Sequence, residues 1–145
     1  MIEKISDILK RISTKVHFVV VVDRNGLPII SMDTNTKKNI NDPSKEMALA
    51  GIGAAVLSLA ESTSTVIDQG GLKELVIKNK KGTIIILDAG ESALVIGVLS
   101  PKAGFDSALI SLKVAAGKLA KIQFSPSQVF PKPAEPDDIF VPDID

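Results

Sequence analysis

Apolar residues recur at helical spacing near both ends of the chain. Ile2, Ile5, Leu9 and Ile12 are separated by Lys, Glu and Asp residues, which predicts an amphipathic helix over residues 1–13. A second apolar stripe follows Pro101 and predicts a last helix. Its members are Phe105, Leu109, Leu112, Ala116 and Leu119.

A third helix is predicted in the middle of the chain, and its pattern is different. The 14 residues from Met47 to Ala60 carry no charge, and Ser58 is their only polar residue. Asp42 and Pro43 supply an N-cap and a first-turn proline, so we expect a helix that runs to about Ser62. A helix that is apolar all round is normally buried on every side. The uncharged stretch of 14 residues is too short for a bilayer, which needs about 20 apolar residues, so we expect a second copy of the chain to cover part of the helix.

Five runs of aliphatic and β-branched residues are predicted to be strands. They lie at 17–22, 27–31, 72–78, 83–87 and 92–99. Turn sequences at 23–26, 79–82 and 88–91 join neighbouring strands as hairpins, and Pro28 places its strand at a sheet edge. The order α-β-β-α-β-β-β-α therefore predicts a mixed α/β (α+β) fold, in which helices cover both faces of a five-stranded antiparallel sheet.

The charge distribution divides the chain into a domain over residues 1–124 and a tail over residues 125–145. The formal net charge of zero combines +4 on the domain with −4 on the tail, which also holds five of the eight prolines. We expect the tail to be disordered or loosely docked. Its segment 137–142 sets an apolar trio between acids and a proline. This segment is either a short docking motif, with the basic domain of its own or another chain as its natural target, or part of a solubilising end.

Composition excludes several classes of function. Aromatic residues make up 3% of the chain, and neither Trp nor Tyr occurs, so stacking platforms for single-stranded nucleic acid are missing. The balanced charge argues against a basic nucleic-acid footprint, and the lack of cysteine excludes disulfides and thiol chemistry. The first residues form no apolar signal core. We therefore expect a cytoplasmic protein with no nucleic-acid partner and no membrane insertion.

The search for catalytic and ligand-binding motifs is negative. His17 is the only histidine, so no His-based metal cluster or Ser-His-Asp triad can form. Residues 51–53 resemble a dinucleotide loop but lack the preceding strand and the third glycine. Residues 33–35 begin like a calcium loop, but lysines replace a ligand and the required glycine. We therefore predict no catalytic residue, metal or cofactor, and a function that depends on surfaces.

Helical projection separates two faces of the apolar helix. Leu49, Ile52, Val56 and Leu59 carry the bulk and are expected to pack on the sheet. The opposite side is mostly small, which lets two helix backbones approach closely, as across a two-fold dimer. The alternative is that this side abuts a loop or the tail of its own chain. The predicted dimer interface on the helix comprises Met47, Ala50, Gly51, Ala54, Leu57, Ser58 and Glu61.

The order and spacing of four segments resemble the roadblock (dynein light chain) domain family. The segments are 19–31, 46–61, 71–87 and 90–100, and residues 101–121 match the last helix of the family. The resemblance implies a profilin-like, five-stranded antiparallel sheet between helices, paired as a homodimer or with a related chain. In the family, the alanine-rich helix and the strand after it form the interface. This adds Leu75 and Ile77 to the predicted interface.

The resemblance also implies a function without active-site chemistry, because family members typically bind Ras-like small GTPases as activators or scaffolds. We therefore expect a non-catalytic homodimer that binds and regulates or scaffolds such a GTPase. No motif identifies a catalytic arginine, so any stimulation would come from ordering groups of the GTPase itself. The alternative is a small-molecule-sensing or general protein-interaction module of profilin-like fold, although the predicted core offers few polar groups to orient a ligand.

Overall fold

The computed structural model describes residues 2–35, 38–39, 43–68, 70–91, 93–101 and 104–122. The helices are α1 (Ile2–Lys10), α2 (Pro43–Ile67) and α3 (Phe105–Ala120). The strands are β1 (Val16–Asp23), β2 (Pro28–Asp33), β3 (Lys38–Asn39), β4 (Glu74–Asn79), β5 (Gly82–Asp88) and β6 (Ala93–Leu99). The predicted N-cap Asp42 and the predicted tail at 125–145 lie outside the described residues.

The strands form one antiparallel sheet in the order β3-β2-β1-β6-β5-β4. The predicted fold class, with five main strands and helices on both faces, is confirmed. The strand β3 is an addition of two residues, paired opposite Met32 and Asp33 of β2. No hydrophobic pattern marks so short a strand. The prediction that β2 lies at the sheet edge is therefore wrong where β3 pairs with it. Pro28 lies at the other end of β2, which β3 does not reach, and there a missing N–H costs no ladder hydrogen bond.

Hairpin turns at one end of the sheet are joined by an arginine. The Oδ1 atom of Asp23 accepts the backbone N–H groups of Asn25 and Leu27 at 2.8 and 2.9 Å, which closes the β1–β2 turn. The guanidinium of Arg24 reaches across to the β5–β6 turn, where it donates to the carboxylate of Asp88 and to the Gly90 carbonyl. Its Nε also donates to the Glu91 carbonyl at 2.8 Å. The two turns therefore hold each other in place.

One face of the sheet is covered by α1 and α3, which together enclose the larger core. Val19 and Val21 of β1 point into it, as do Leu112 and Leu119 of α3, and all four are fully buried. The helix α3 lies directly on β6 at Gly97, where a Cβ atom would come 2.6 Å from Leu112 Cδ1. At this contact, α3 and the sheet are packed without room for an added methyl group.

The other face of the sheet is covered by α2 and holds a smaller core. Phe18, Val20 and Val22 of β1 point toward α2, together with Ile86 of β5 and Ile96 of β6. The alternation along β1 therefore buries successive residues under different helices. This explains why its sequence is apolar almost throughout.

Candidate functional site

The helix α2 rests on β1, β2 and β6 through a narrow face. Leu49, Ala50 and Leu57 are buried on that face. Between them, Gly53 lies so close to β6 that a Cβ atom would come 3.0 Å from Ile96 Cδ1. Small residues on this face therefore allow the helix to approach its own sheet.

The side of α2 that faces the sheet is rotated about the helix axis by roughly a quarter turn from the side that the helical projection predicted, at about 100° per residue. Ile52 and Leu59, which were predicted to pack on the sheet, are 40% and 68% exposed, and the prediction is wrong for both. Leu49 and the half-buried Val56 do pack there. The projection weighed side-chain volume alone, whereas close approach over β6 places Ala50 and Gly53 against the sheet.

The seven helix residues predicted for the interface divide by burial within their own chain. Met47, Gly51, Ser58 and Glu61 are exposed on the outside of α2, Ala54 is half-buried, and Ala50 and Leu57 are buried. Ala50 and Leu57 therefore support the outer surface from below. The assignment of all seven to an interface stays a prediction.

The alternative, that the small side of the helix abuts a loop of its own chain, applies to Ala54. The β1–β2 turn passes over it at Gly26, which has a φ of +87°. A Cβ atom on Gly26 would come 2.8 Å from the Ala54 Cβ, so a larger side chain at position 54 would strike the turn first. Gly51, by contrast, has no non-local atom within 4 Å of an added Cβ.

The exposed side of α2, which we call the outer α2 face, is broad and apolar. Leu59 is 68% exposed and Val66 is 82% exposed. The helical projection did not place Leu59, Val66 or Ile52 on the exposed side of the helix. The face consists of Met47, Ala48, Gly51, Ile52, Ala55, Ser58, Leu59, Ser62 and Val66.

The helix also runs five residues beyond the predicted end at Ser62 and stops at Ile67. The backbone leaves helical geometry at Asp68, whose φ is +52°, and Gly70 follows with a φ of +82°. The sequence carried a usable signal, because neither glycine nor proline occurs between Ser62 and Gly70.

Hydroxyl groups near the end of α2 are satisfied within the helix. Ser62, Thr63 and Thr65 each donate a hydrogen bond of 3.0 Å to the carbonyl four residues earlier, which is a common arrangement for hydroxyls inside helices. A hydroxyl that already has a partner is not left unsatisfied when its surroundings become dry. This end of α2 can therefore be buried in an interface without leaving these hydroxyl groups unsatisfied.

The edge strand β4 lies beside the outer α2 face. Among the described strands, β4 pairs only with β5 and forms one end of the sheet. Leu75 and Ile77, the two predicted interface residues on β4, are half-buried. A cleft of about 310 Å³ separates α2 from β4 and is lined in part by Val56, Leu59 and Leu75. An edge strand presents backbone N–H and C=O groups to a further strand.

The length and composition of α2 would also allow it to cross a membrane. The stretch Ser44–Ile67 is long and apolar enough, and 17% of its apolar window is buried in the structure. The expectation that this segment is too short for a bilayer considered only the 14 uncharged residues, whereas the apolar helix is longer than that stretch. However, Leu49, Ala50 and Leu57 pack on the chain's own sheet, so a spanning arrangement would expose that face of the sheet.

Reactive side chains do not gather anywhere in the described residues. Within them, no group of three or more His, Cys, Asp or Glu side chains could hold a metal ion. His17 lies half-buried in β1. The Oδ1 atom of Asp33 accepts the N–H of Asn35 at 2.9 Å, so the segment that resembled a calcium loop forms an ordinary turn.

Comparison with known proteins decides the family. The profile of the Roadblock/LC7 domain matches residues 4–99, from α1 through β6. The chain belongs to the Roadblock/LC7 domain family. The resemblance found in the sequence is thus confirmed. A search of curated protein sequences finds no match.

Solved structures of this family share the fold. The gliding protein MglB from Thermus thermophilus superposes with a TM-score of 0.72 at 18% identity, over 82% of this chain and 87% of that one. A structure described as MglB with tetrameric arrangement gives 0.67 at 20% identity, over 83% and 85%. A Roadblock/LC7 domain from Streptomyces avermitilis gives 0.64 at 14% identity, over 80% and 91%. Identities this low show a common fold.

Proposed function

We propose that this Roadblock/LC7 protein is a non-catalytic homodimer that binds a Ras-like small GTPase in the cytoplasm and regulates or scaffolds it. One observation carries the proposal: the apolar outer α2 face adjoins the open edge of β4. Both features fit a second copy of the chain, and the family resemblance supplies the class of partner for the assembled surface.

The dimensions of the surface support a dimer. A helix of 25 residues is about 37 Å long, and the six residues of β4 extend for about 20 Å. A stable interface needs about 800 Å² from each partner, which a strip of this length can supply. In the proposed dimer, α2 of one chain packs on α2 of its partner, and β4 of one chain pairs with β4 of the other. The sheet then continues across both chains.

The residues of the proposed interface follow from exposure. Met47, Gly51, Ser58 and Glu61 contact the partner directly, joined by Leu59 and other members of the outer α2 face. Gly51 and Ala55 let the two helices approach closely, and Leu59 and Val66 supply the apolar area. The solved MglB described with a tetrameric arrangement supports assembly as a property of this fold.

The proposed action on the GTPase is that of a binding surface. Arg24 is the arginine best held at the sheet end, but Asp88, Gly90 and Glu91 already occupy its guanidinium. An arginine that stimulates hydrolysis must be free to reach the transferred phosphate. The protein would instead stabilise one nucleotide state of its partner, with catalytic groups supplied by the GTPase itself.

A pull-down with GTP-loaded and GDP-loaded small GTPases from the same organism tests the proposal. We expect one of them to bind in a nucleotide-dependent way and to change its rate of hydrolysis or nucleotide release. Absence of such a partner, combined with a copurifying small molecule, would contradict the proposal and favour a sensory module. Flotation with phosphatidylcholine vesicles would contradict it differently, because the outer α2 face would then meet lipid.

A further inference from the structure

A second unpartnered surface lies on the opposite face of the sheet from α2. Two adjoining clefts run between α1 and α3 and share Ile8, Arg11 and Lys118 in their lining. We call this surface the α1–α3 groove. Its apolar floor includes half-buried Ile8 and Val114, which is 53% exposed.

The rim of the α1–α3 groove is basic. Three basic residues line the groove: Lys4, Arg11 and Lys118. Asp7 is the one acidic residue among the described residues that line it. Within the described part of the chain, none of the three cations forms an ion pair. The groove therefore suits a ligand that combines carboxylates with an apolar centre.

We propose that the α1–α3 groove binds the acidic C-terminal tail of the same chain. The tail contains Asp137-Asp138-Ile139-Phe140-Val141-Pro142-Asp143, which places an apolar trio between carboxylates. The trio packs on the apolar floor at Val114, and the carboxylates lie beside Arg11 and Lys118. The tail carries a net charge of −4 and the rest of the chain +4, so the electrostatic attraction has the required sign.

The point where the described chain ends favours its own tail over other occupants. Ile122 is the last described residue of this region, and it lines the groove itself. The 15 residues from there to Asp137 can span at most about 50 Å, which exceeds the length of α3, about 24 Å, so the segment that begins at Asp137 can reach any point of the groove. A ligand tethered this closely has an effective concentration on the order of millimolar, so weak contacts are enough to keep it docked.

The proposal is independent of the proposed dimer and its GTPase. The groove and the outer α2 face lie on opposite sides of the sheet. A tail that fails to dock leaves the dimer untouched, and a chain that stays monomeric can still dock its tail.

Disulfide trapping in the full-length chain tests the proposal, because the natural sequence contains no cysteine. The test protein carries Val114→Cys in the groove and Val141→Cys in the tail. The matched control carries Glu91→Cys and Val141→Cys. Glu91 is exposed and follows Gly90, where an added Cβ would come 3.0 Å from the Ala120 Cα. The control site at position 91 thus lies near the start of the tail, as position 114 does, but it lies outside the groove.

We expect the intramolecular cross-link of the groove pair to form about tenfold faster than that of the control pair. Salt of about 1 M, which shortens the Debye length to about 3 Å, should remove most of this advantage. Arg11→Glu combined with Lys118→Glu should remove it as well, whereas Lys80→Glu with Lys81→Glu, on the exposed β4–β5 turn, should not. Equal rates for the two cysteine pairs would overturn the proposal. A disulfide-linked dimer as the main product would overturn it too, because the tail would then occupy the groove of another chain.

Discussion

The two faces of the sheet are covered in different ways. On the α1–α3 face, α3 buries five of its 16 residues, and Gly97 leaves no space for a methyl group beneath Leu112. On the α2 face, a longer helix contacts the sheet along one side and leaves Leu59 and Val66 largely exposed. The sheet is therefore tightly covered under α3, whereas the outer α2 face stays uncovered within the single chain.

This difference shows that hydrophobicity alone does not tell where a helix is buried. The sequence of α2 is more continuously apolar than that of α3, yet α3 is the better buried helix. A buried apolar residue of α3, such as Leu112, stabilises the fold of the single chain. An apolar residue on the outer α2 face adds little to that fold, and an exposed apolar patch of this kind marks an interaction surface. The two faces should therefore respond differently to the same substitution.

The largest difference is expected from leucine truncation. Leu112→Ala should lower the free energy of unfolding by about 2–5 kcal/mol, because it leaves a cavity in a closed core. Leu59→Ala should lower it by less than about 0.5 kcal/mol in a monomeric background, since Leu59 is mostly exposed. Urea denaturation measures both values in a chain that also carries Gly51→Arg, a substitution on the outer α2 face that we expect to prevent dimerisation without disturbing the fold. Similar losses at the two positions would mean that the faces are equally closed.

A smaller difference is expected from adding a methyl group to each face. Gly97→Ala should destabilise the protein by about 1–3 kcal/mol, because the new Cβ meets both Leu112 methyl groups and Val16 Cγ1 within 3.2 Å. Gly53→Ala meets the movable end of Ile96 at 3.0 Å and gains about 1 kcal/mol of helix propensity. It should stay within about 1 kcal/mol of the natural protein. Thermal unfolding followed by circular dichroism ranks the pair, and the reverse order would contradict the described packing.

The smallest effect concerns the way β4 is held. Lys113 of α3 forms an ion pair of 3.1 Å with Glu74 at the start of β4, and both side chains are well exposed. Lys113→Ala should therefore destabilise the fold by at most about 1 kcal/mol. Added salt should shrink that difference, which denaturation at low and high ionic strength measures. A loss that is large and independent of salt would show that β4 depends on α3 more than exposure indicates.

The fold could be predicted from the sequence because two separate signals agree: β-branched runs indicate the strands, and turn residues indicate the connections between them. Continuous β-branched runs predicted β1, β5 and β6, and the turn at 23–26 predicted the first hairpin, with Gly26 at positive φ as expected. The strand β3 could not be predicted, since two residues carry no periodicity. The end of α2 was placed too early, although the absence of a helix breaker before Gly70 was visible.

The candidate site was predicted only in part because helix rotation is set by tertiary contacts. Gly51 and Gly53 are equivalent in the sequence, but one faces solvent and the other touches Ile96. Nothing local distinguishes them, because the close approach at Gly53 depends on β6, over 40 residues away in the chain. Met47 and Ser58 were placed correctly on the exposed side. Leu59 could be placed there only once the sheet was known.

Sedimentation equilibrium of the natural chain and two glycine variants tests whether the outer α2 face pairs two chains. Gly51 on α2 and Gly117 on α3 are both exposed and have no non-local atom within 4 Å of an added Cβ, so arginine at either position should leave the single chain folded. We predict a mass of twice 15.3 kDa for the natural chain and for Gly117→Arg, and 15.3 kDa for Gly51→Arg with an unchanged circular dichroism spectrum. A Gly51→Arg chain that is folded and still dimeric would contradict the account, as would a natural chain that sediments as a monomer.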